Sequence, residues 1–391
     1  MPNITSFQQL NSQDIVIFGA GKIAGATIRY LKEQGLSANL LGILDNNQKK
    51  NGTIYEGLPV FQPEAFFAAH CSAEPEGSAA HNLAIIIAIL DYPQAYQQIL
   101  ALAPDFPKKQ IFLSLSWKIP YEDDPAQCGF HDLRYRGRKF ADFSSEEIRA
   151  LLADEDSRQL FDLIRTIRGG HVNLFQYEDL RGINGSSIYW GRDDLKTMAA
   201  PGTAPCAILD CGAYTGDSIE EILRQLQPER CSYYAFEPDK TVQSLLTASQ
   251  QAANDKRLAE GRQPVAFHNI PKGAWCREQR LQFHYYTENA ASSLNQNQNL
   301  DDGADGSIEV TAIDQLEIAE ERVYIKMDIE GSELAALRGA EHLIRQKKPY
   351  LAICAYHRPH DLLYLPLMLL TLNPDYRIYL AGGMHYTYYA I

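Results

Sequence analysis

The chain has 391 residues, a formal net charge of −13 at pH 7 and a hydrophobic fraction of 45%. This length is sufficient for two domains, because soluble domains usually span roughly 100–200 residues. The acidic balance argues against a nucleic-acid-binding protein, since contact with phosphates requires a basic surface.

The cysteines and the apolar segments indicate the cellular compartment. The seven cysteines contain no Cys-x-x-Cys pair, which favours free thiols in a reducing compartment over disulfides or a zinc site. No segment has the pattern of a signal peptide, and no apolar run reaches the ~18 residues of a membrane span. We therefore expect a cytoplasmic protein with no membrane span.

The first glycine-rich turn follows the first predicted strand, residues 14–18, and its letters GAGKIA fit the pattern Gly-x-Gly-x-x-Ala. A helix is predicted behind the turn, and the next predicted strand, residues 40–44, ends at Asp45. A glycine turn between a strand and a helix, with an acid at the next strand end, is typical of a Rossmann unit. We therefore predict a nucleotide site with Gly19 and Gly21 at the turn and Asp45 near the ribose.

The letters VIFGAGKIAG, GILDNN and GLPVFQPEAF carry a resemblance over roughly the first hundred residues. This segment resembles the small nucleotide-binding domain that precedes catalytic modules in bacterial polysaccharide and sugar-modifying enzymes. The resemblance implies a nucleotide sugar or a dinucleotide as ligand. The alternative is a degenerate Rossmann unit that only packs against its neighbour, because a turn alone proves no ligand.

Composition and motif positions divide the chain into three parts. Residues 1–119 are predicted to be the Rossmann-like nucleotide-binding domain, residues 120–204 a helical connector and residues 205–391 a second α/β domain. Within the connector, residues 144–168 predict one or two amphipathic helices that begin at a Ser-Ser-Glu-Glu cap. The fold class that follows is α/β, with two Rossmann-like units in tandem.

A second glycine turn follows a predicted strand at residues 206–209. The strand ends at Asp210, then come Gly212 and Gly216, and a helix is predicted over residues 218–226. Glycine lets the backbone approach a ligand where a Cβ would collide. The arrangement again predicts a nucleoside-binding turn.

A second acid supports this prediction, because Glu237 ends the next predicted strand and a carboxylate there accepts both hydrogen bonds of a ribose diol. Tyr214 stands where many related turns have a glycine, so we expect a wider turn or a side chain that points away. The combination resembles the S-adenosylmethionine site of class I methyltransferases, with adenine near the segment after the third strand. The resemblance implies that this cofactor is held by Asp210, Gly212, Ala213, Gly216, Glu237, Gly273 and Ala274.

Three further polar residues follow predicted strand ends far downstream. Asp328 and Glu330 come at the end of a β-rich run at residues 323–329, and His357 follows the next predicted strand, residues 350–355. A helix with basic residues and a proline at its end is predicted between them. Since ligands bind at the carboxyl edge of open α/β sheets, these three residues are candidates for the catalytic site.

The letters KMDIEGSELAALRGA, KPYLAICAYHRP and DLLYLPLML resemble the FkbM family of methyltransferases, over residues 205 to about 386. The resemblance implies a class I methyltransferase fold and methyl transfer from S-adenosylmethionine, usually to a hydroxyl group of a sugar or natural product. The sequence departs from the family at its last hairpin, which is predicted to be short.

The expected chemistry is an in-line methyl transfer that needs a positioned hydroxyl group and a base, a metal ion or both. His357 is a candidate base, with Asp328 orienting it or binding the acceptor. Alternatively, Asp328, Glu330 and His357 form part of a Mg or Mn site. A purely structural interpretation has Glu330 stabilising the start of the following helix.

Three classes of function remain open at this point. The first is an O-methyltransferase that acts on a small-molecule or glycan acceptor. The second is a nucleotide-sugar modifying enzyme whose front domain is catalytic, and the third is a non-catalytic nucleotide-binding scaffold. The sequence also leaves open whether the protein forms a homo-oligomer.

Overall fold

The computed structural model describes residues 10, 12–33, 35–70, 82–88, 92–113, 133–169, 194–195, 204–284, 293–294, 305–358, 360–382 and 385–391. The chain divides into two compact units, Met1–Pro120 with Leu163–Asp179 and Tyr121–Asp162 with Leu180–Ile391. Both are α/β, so the predicted fold class is confirmed. Much of the predicted connector, residues 120–132, 170–193 and 196–203, lies outside the described residues.

The first unit is built around a sheet whose strands are mostly parallel. Its elements are β1 (Asp14–Phe18), α1 (Lys22–Glu33), β2 (Leu40–Leu44), β3 (Ile54–Tyr55), β4 (Leu58–Phe61), α2 (Pro63–His70), β5 (Leu83–Ile87), α3 (Tyr92–Leu102) and β6 (Ile111–Leu113). The strand order is β3-β4-β2-β1-β5-β6, and only β3 is antiparallel to its neighbour. Strand β5 reads LAIII and is fully buried, as expected for a parallel sheet covered on both faces.

The second unit contains a larger sheet, a smaller sheet and a hairpin. Its elements are β7 (Arg134–Tyr135), β8 (Arg138–Lys139), α4 (Ser145–Ala150), the first part of α5 (Glu155–Gly169), β9 (Cys206–Cys211), α6 (Ile219–Leu226), β10 (Cys231–Phe236), α7 (Gln243–Ala259), β11 (Ala266–Ile270), β12 (Gly273–Ala274), β13 (Gln279–His284), β14 (Ser293–Leu294), β15 (Asp305–Thr311), β16 (Arg322–Met327), α8 (Glu333–Arg338), α9 (Glu341–Lys347), β17 (Tyr350–Cys354), α10 (Asp361–Leu372), β18 (Ile378–Ala381) and β19 (Thr387–Ala390). The residues of α5 from Leu163 onward belong to the first unit.

The larger sheet of the second unit has the order β11-β10-β9-β16-β17-β19-β18. The first five strands are parallel, and β19 is antiparallel to both β17 and β18. The chain moves outward from β9 to β11 and then returns to β16 on the other side of β9. The carboxyl ends of β9 and β16 therefore flank the point where the strand order reverses, which is the usual ligand site of such sheets.

The end of β16 and the helix that follows it differ from the prediction. Strand β16 ends at Met327, two residues early, because Glu330 and Gly331 have the positive φ angles 55° and 92° and turn the chain away from the sheet. The predicted helix behind it is divided into α8 and α9 at Gly339. A Cβ on Gly339 would lie 1.9 Å from the carbonyl oxygen of the buried Trp275, so this close approach interrupts the helical run.

The last hairpin is short but regular. Strands β18 and β19 pair in antiparallel register from Ile378 opposite Ala390 to Ala381 opposite Thr387. Both strands are buried over their full length, so the hairpin is part of the core. Within the described residues, every helix is too short or too polar to cross a lipid bilayer.

Candidate active site

The turn after β9 depends on two glycines with positive φ, 81° at Gly212 and 80° at Gly216. A Cβ on Gly212 would lie 2.0 Å from the carbonyl oxygen of Asp328, and a Cβ on Gly216 would lie 2.8 Å from the Cβ of Ser249 in α7. The glycines therefore let the turn touch the end of β16 on one side and α7 on the other. The turn at residues 210–216, where the methyl donor S-adenosylmethionine is predicted to bind, is called the donor turn below. The contact at Gly212 brings the donor turn next to the predicted catalytic residue Asp328.

Asp210 is fully buried and stabilises this turn through its side chain. Its Oδ1 lies 2.8 Å from the Nζ of Lys326, which also donates to the carbonyl of Gly212 at 2.8 Å. Its Oδ2 accepts hydrogen bonds from the hydroxyls of Ser218 at 3.1 Å and Tyr233 at 2.7 Å. These three partners give Asp210 a role in fixing the turn. Its direct contact with the methyl donor stays a prediction.

Glu237 joins the ends of β9 and β10. Its Oε2 accepts the backbone N–H of Tyr214 and its Oε1 accepts the backbone N–H of Asp239, both at 2.8 Å. Burial raises the pKa of Glu237, and the two N–H bonds oppose that rise. Because a carboxylate has about four acceptor positions, two remain for a ligand diol.

Tyr214 resolves the missing glycine of the turn by adopting the left-handed conformation itself, with φ 45°. The turn is therefore formed without glycine at this position, at a cost that non-glycine residues rarely accept in that region. Ala213, next to it, is fully buried, and its N–H donates to the carbonyl of Phe236 at 3.1 Å. The carbonyl of Ala213 accepts the N–H of Gly216 at 2.8 Å, so both of its backbone groups hold the turn, and its contact with the methyl donor stays a prediction.

Gly273 and Ala274, predicted near the adenine, form the short strand β12 beside β15. A Cβ on Gly273 would lie 3.8 Å from the ring of Pro238, which follows Glu237. The methyl of Ala274 is buried. The structure therefore places Gly273 close to the segment that follows β10, and the adenine contact stays a prediction.

The structure brings Asp328, Glu330 and His357 into one cluster. The Nε2 of His357 lies 3.1 Å from Oδ1 of Asp328 and 3.7 Å from Oε2 of Glu330. The His357 side chain is only 6% exposed, whereas that of Asp328 is 22% and that of Glu330 34% exposed. The two carboxylates are therefore accessible to a ligand, and the imidazole lies behind them.

Two members of the cluster were not predicted. Glu333 is fully buried, and its Oε1 lies 2.9 Å from Nδ1 of His357. The hydroxyl of Tyr356 donates to Oδ1 of Asp328 at 2.8 Å. Both stand within the letters that carry the family resemblance, so their position beside Asp328 and His357 was the available signal.

A third unpredicted residue, His385, lies at the same edge between β18 and β19. Its ring packs edge-on against Tyr356, with centroids 4.7 Å apart. Burial lowers the pKa of His385, which keeps its imidazole neutral at neutral pH. The short last hairpin thus contributes a neutral histidine to the edge of the candidate site.

Protonation within the cluster follows from its charges. Burial by itself lowers the pKa of His357, but Glu333, Asp328 and Glu330 together raise it well above the usual value. Burial raises the pKa of Glu330 to about 7; His357 lowers it, and the charges of Asp328 and Glu333 raise it further. At neutral pH the cluster therefore holds an imidazolium and a carboxyl group that is close to its titration point.

The alternative metal site finds little geometric support. In the part of the chain that the structure describes, no group of three or more His, Cys, Asp or Glu side chains is arranged to hold a metal ion. Both ring nitrogens of His357 face carboxylates, which accept hydrogen bonds but cannot donate them when ionised. An imidazole that is protonated at both nitrogens has no lone pair for a cation.

The predicted nucleotide turn of the first unit is tied by its own polar groups. The N–H of Ala20 donates to Oδ2 of Asp45 at 2.8 Å, and the carbonyl of Ala20 accepts from Nζ of Lys50 at 2.9 Å. Gly19 has φ 106°, and a Cβ on Gly21 would meet no atom within 4 Å. The structure therefore brings Gly19, Gly21 and Asp45 together, with open space beside Gly21.

Comparison with known families gives a match within the second unit. Residues 210–378, a little under half of the chain, match the family model described as the methyltransferase FkbM domain. A search of curated proteins found no match. Among solved structures, the chain is similar to methyltransferase FkbM from Methylobacillus flagellatus KT, with 22% identity, a TM-score of 0.59 and coverage of 98% of this chain and 92% of that chain. At that identity the similarity shows the fold alone.

Two further solved structures are more distant. A SAM dependent methyltransferase from Aquifex aeolicus has 13% identity and a TM-score of 0.26, covering 63% of this chain and 98% of its own. TrmK from M. capricolum, solved in complex with S-adenosyl-homocysteine, has 12% identity and a TM-score of 0.24, covering 51% of this chain and 65% of its own. These TM-scores are too low to carry an argument about this chain.

Proposed function

Because residues 210–378 are an FkbM methyltransferase domain, which implies methylation dependent on S-adenosylmethionine, we propose that the protein methylates a hydroxyl group of a sugar, glycan precursor or natural product. The observation that carries this proposal is the contact between Gly212 and the carbonyl of Asp328. It joins the donor turn to a cluster of accessible carboxylates at the point where the strand order of the sheet reverses.

The residues of the donor turn fit S-adenosylmethionine. Glu237 keeps two acceptor positions after binding the backbone N–H groups of Tyr214 and Asp239, so it holds the two ribose hydroxyls. Gly212 and Gly216 keep the turn narrow enough for a ligand to lie across it, and Gly273 lies on the adenine side. When bound, this cofactor supplies an electrophilic methyl group on a sulfonium.

The carboxylates of the cluster act on the acceptor. Asp328, fixed by Tyr356 and His357, binds and orients the acceptor. Glu330 takes the hydroxyl proton, since its carboxyl is accessible and its pKa of about 7 suits a general base near neutral pH. His357 contributes as a cation that offsets the surrounding negative charge, rather than as the base.

Binding of the donor is tested by calorimetry with S-adenosylhomocysteine, the demethylated product. Glu237→Ala is expected to weaken binding by ~1–3 kcal/mol, the scale of lost hydrogen bonds to a charged group. Glu229→Ala removes a carboxylate whose residue lies before β10, away from the turn, and serves as the matched control. Equal affinities for all three proteins would reject the placement of the donor.

Transfer is tested with a labelled methyl donor on an array of glycans, nucleotide sugars and natural products. Glu330→Gln, Asp328→Asn and His357→Ala are expected to lower turnover by about 10²- to 10⁴-fold while binding of S-adenosylhomocysteine persists. Glu341→Gln, at an exposed ion pair with Arg345, is the control. Full turnover in Glu330→Gln would reject its role as base, and loss of activity in EDTA would restore the metal alternative.

The first unit is the subject of a separate proposal. We propose that it binds a nucleotide or nucleotide sugar at Gly19 and Gly21, with Asp45 near the ribose. Support comes from the open space beside Gly21 and from Lys50, whose ammonium lies at the turn and suits a phosphate. The competing function is catalysis by this unit, which binding of only NAD or a uridine-diphosphate sugar, and not of S-adenosylhomocysteine, would indicate.

The cysteines support a cytoplasmic location. Five of them, described in the structure, are free thiols: Cys206, Cys211, Cys231, Cys276 and Cys354. Four of these are buried in the second unit. Free buried thiols are typical of a reducing compartment, and we propose the cytoplasm. Expression in an oxidising compartment, followed by a count of the free thiols, tests this assignment.

A further inference from the structure

We propose that Glu333 is a positioning residue for methyl transfer, which acts through His357 to fix the orientation of the Asp328 carboxylate. The inference rests on the proposed function, because it assigns Asp328 to the acceptor. The sequence and the family match identify neither Glu333 nor the direction in which His357 acts. The geometry supplies both, through one continuous chain of contacts from α8 to β16.

The first link is the buried carboxylate of Glu333. It is 0% exposed, and its Oε1 accepts the backbone N–H of Ile329 at 3.0 Å and faces Nδ1 of His357 at 2.9 Å. The contact with Ile329 closes the turn that precedes α8, a structural role that any short acceptor would fill. A full charge with no exposure is costly to bury, and the bond to Ile329 alone does not require it. The imidazole of His357 is the partner that makes the charge useful.

The second link is the double contact of His357. Nδ1 faces Glu333 at 2.9 Å and Nε2 faces Asp328 at 3.1 Å. Both contacts are favourable only when both nitrogens carry protons, because a carboxylate only accepts. The ring is therefore an imidazolium clamped between two carboxylates. It has no lone pair with which to accept a hydroxyl proton, and its orientation is passed on to Asp328.

The third link is the common acceptor atom. Oδ1 of Asp328 faces Nε2 of His357 and also accepts the hydroxyl of Tyr356 at 2.8 Å. Two donors on one oxygen fix the plane of the carboxylate. Without the charge of Glu333 the pKa of the imidazole falls, and a neutral ring holds Asp328 only through an uncharged Nε2–H, a weaker donor than the imidazolium.

The groups that face His357 come from several elements. Asp328 and Glu330 follow β16, Glu333 begins α8, and Asp361 begins α10. Among these, burial raises the pKa of Asp361 to about 7. Arg358 is the cation beside these groups, and its charge acts on Asp361. The neutral ring of His385 lies beyond Tyr356. Removing one carboxylate therefore changes the protonation of the whole group, and Glu333 is the only one in contact with Nδ1 among the described residues.

The test combines histidine NMR with kinetics. Ring ¹⁵N signals of the 10 histidines are recorded between pH 5 and 9, with His357 assigned by its loss in His357→Gln. The native protein is expected to show His357 as an imidazolium at neutral pH, because its pKa is raised well above the usual value. In Glu333→Gln, which keeps the size of the side chain and an acceptor for Ile329, His357 is expected to lose its second ring proton at a lower pH than in the native protein.

Kinetics then separate positioning from structure. In Glu333→Gln we expect kcat to fall by about 10- to 100-fold, the range seen when groups that orient metal-bound histidines are removed. KM for the methyl donor and the affinity for S-adenosylhomocysteine should stay unchanged. The ratio of kcat in Glu333→Gln to kcat in the native protein, which cancels the titration of the base Glu330 that both share, should rise as the pH falls through the new, lower pKa of His357. Glu341→Gln is the control for loss of one helix-start carboxylate.

The outcomes are distinguishable. An imidazolium that persists in Glu333→Gln, or a kcat that is unchanged although His357 has become neutral, overturns the positioning role and leaves the proposed function intact. A native protein that binds S-adenosylhomocysteine but methylates nothing on the array overturns the proposed function, whereas the NMR result still reports on the clamp. If Glu333→Gln fails to fold, Glu333→Asp keeps the charge and shortens the reach. His357 should then stay cationic while kcat falls, and an unchanged kcat refutes the proposal.

Discussion

Replacing Asp210 by asparagine tests whether this residue anchors the donor turn. Asp210 is 0% exposed and Lys326 5% exposed, with Nζ 2.8 Å from Oδ1, so solvent screens neither charge. Asparagine keeps one acceptor for Tyr233 or Ser218 but leaves the ammonium of Lys326 buried without a counter-charge. Removing one partner of a buried ion pair costs ~3–5 kcal/mol. We expect that loss in the free energy of unfolding of the second unit, and the turn should be displaced with it.

Adding the substitution Lys326→Met completes a double-mutant cycle with Asp210→Asn. Lys326→Met removes the buried cation, so the double variant Asp210→Asn/Lys326→Met should be more stable than the sum of the single losses predicts, by ~1–3 kcal/mol. Urea unfolding is followed by the fluorescence of Trp275, which is fully buried in this unit, with the other two tryptophans replaced by phenylalanine. The exposed pair of Glu220 and Lys256 is the control, and Glu220→Gln should cost less than ~1 kcal/mol.

Two results would refute the anchoring role. One is a loss below ~1 kcal/mol in Asp210→Asn, which would mean that the pair is solvated or dispensable. The other is a large fall in affinity for S-adenosylhomocysteine with unchanged stability, which would place Asp210 in direct contact with the cofactor.

Three further predictions follow from the same structure. Gly212→Ala should destabilise the second unit more than Gly261→Ala in urea unfolding, because both have positive φ but only Gly212 meets a backbone oxygen at 2.0 Å; equal losses would contradict the close approach. Asp361 has a folded pKa of about 7, above its unfolded value, so the folded state holds the proton and stability should fall as pH rises from ~4 to 7; Asp361→Asn should flatten that slope, and an unchanged slope would place the titration elsewhere. The protein should show a thermal shift with one member of a nucleotide panel, and Gly21→Val should abolish that shift without lowering the melting temperature of the ligand-free protein. A flat response to the whole panel would favour a first unit that binds no nucleotide and only packs against its neighbour.

The positions of the candidate site residues were accessible from the sequence because parallel strands end at one edge. The predicted bounds of β1 and β2, residues 14–18 and 40–44, agree with the structure. The acids Asp328 and Glu237 were identified as residues that follow buried runs, and the structure places both at the carboxyl edge of the sheet. The hydrophobic periodicity of the strands and the turn residues between them were sufficient to predict these positions.

The contacts of these residues were not accessible in the same way. Whether His357 faces Glu333 or solvent depends on the turn at Glu330 and Gly331, whose positive φ angles no periodicity reports. The division of α8 from α9 depends on the carbonyl of Trp275, more than sixty positions away in sequence. The inward Lys326 lies in a strand of otherwise apolar residues, and only its buried partner Asp210 explains why a cation is there.

The contact between Gly212 and the carbonyl of Asp328 limits how this protein could be redesigned for new acceptors. The N–H of Asp328 also donates to the carbonyl of Cys211 at 3.0 Å. The loop after β9 and the loop after β16 are therefore in contact at two adjacent points, and we expect them to move together. A library that seeks new acceptors should therefore leave both loops unchanged, because any shift that enlarges the acceptor side drags the donor turn along. Diversity belongs instead around His385 and Tyr386, which approach the same edge from the last hairpin and pack against Tyr356.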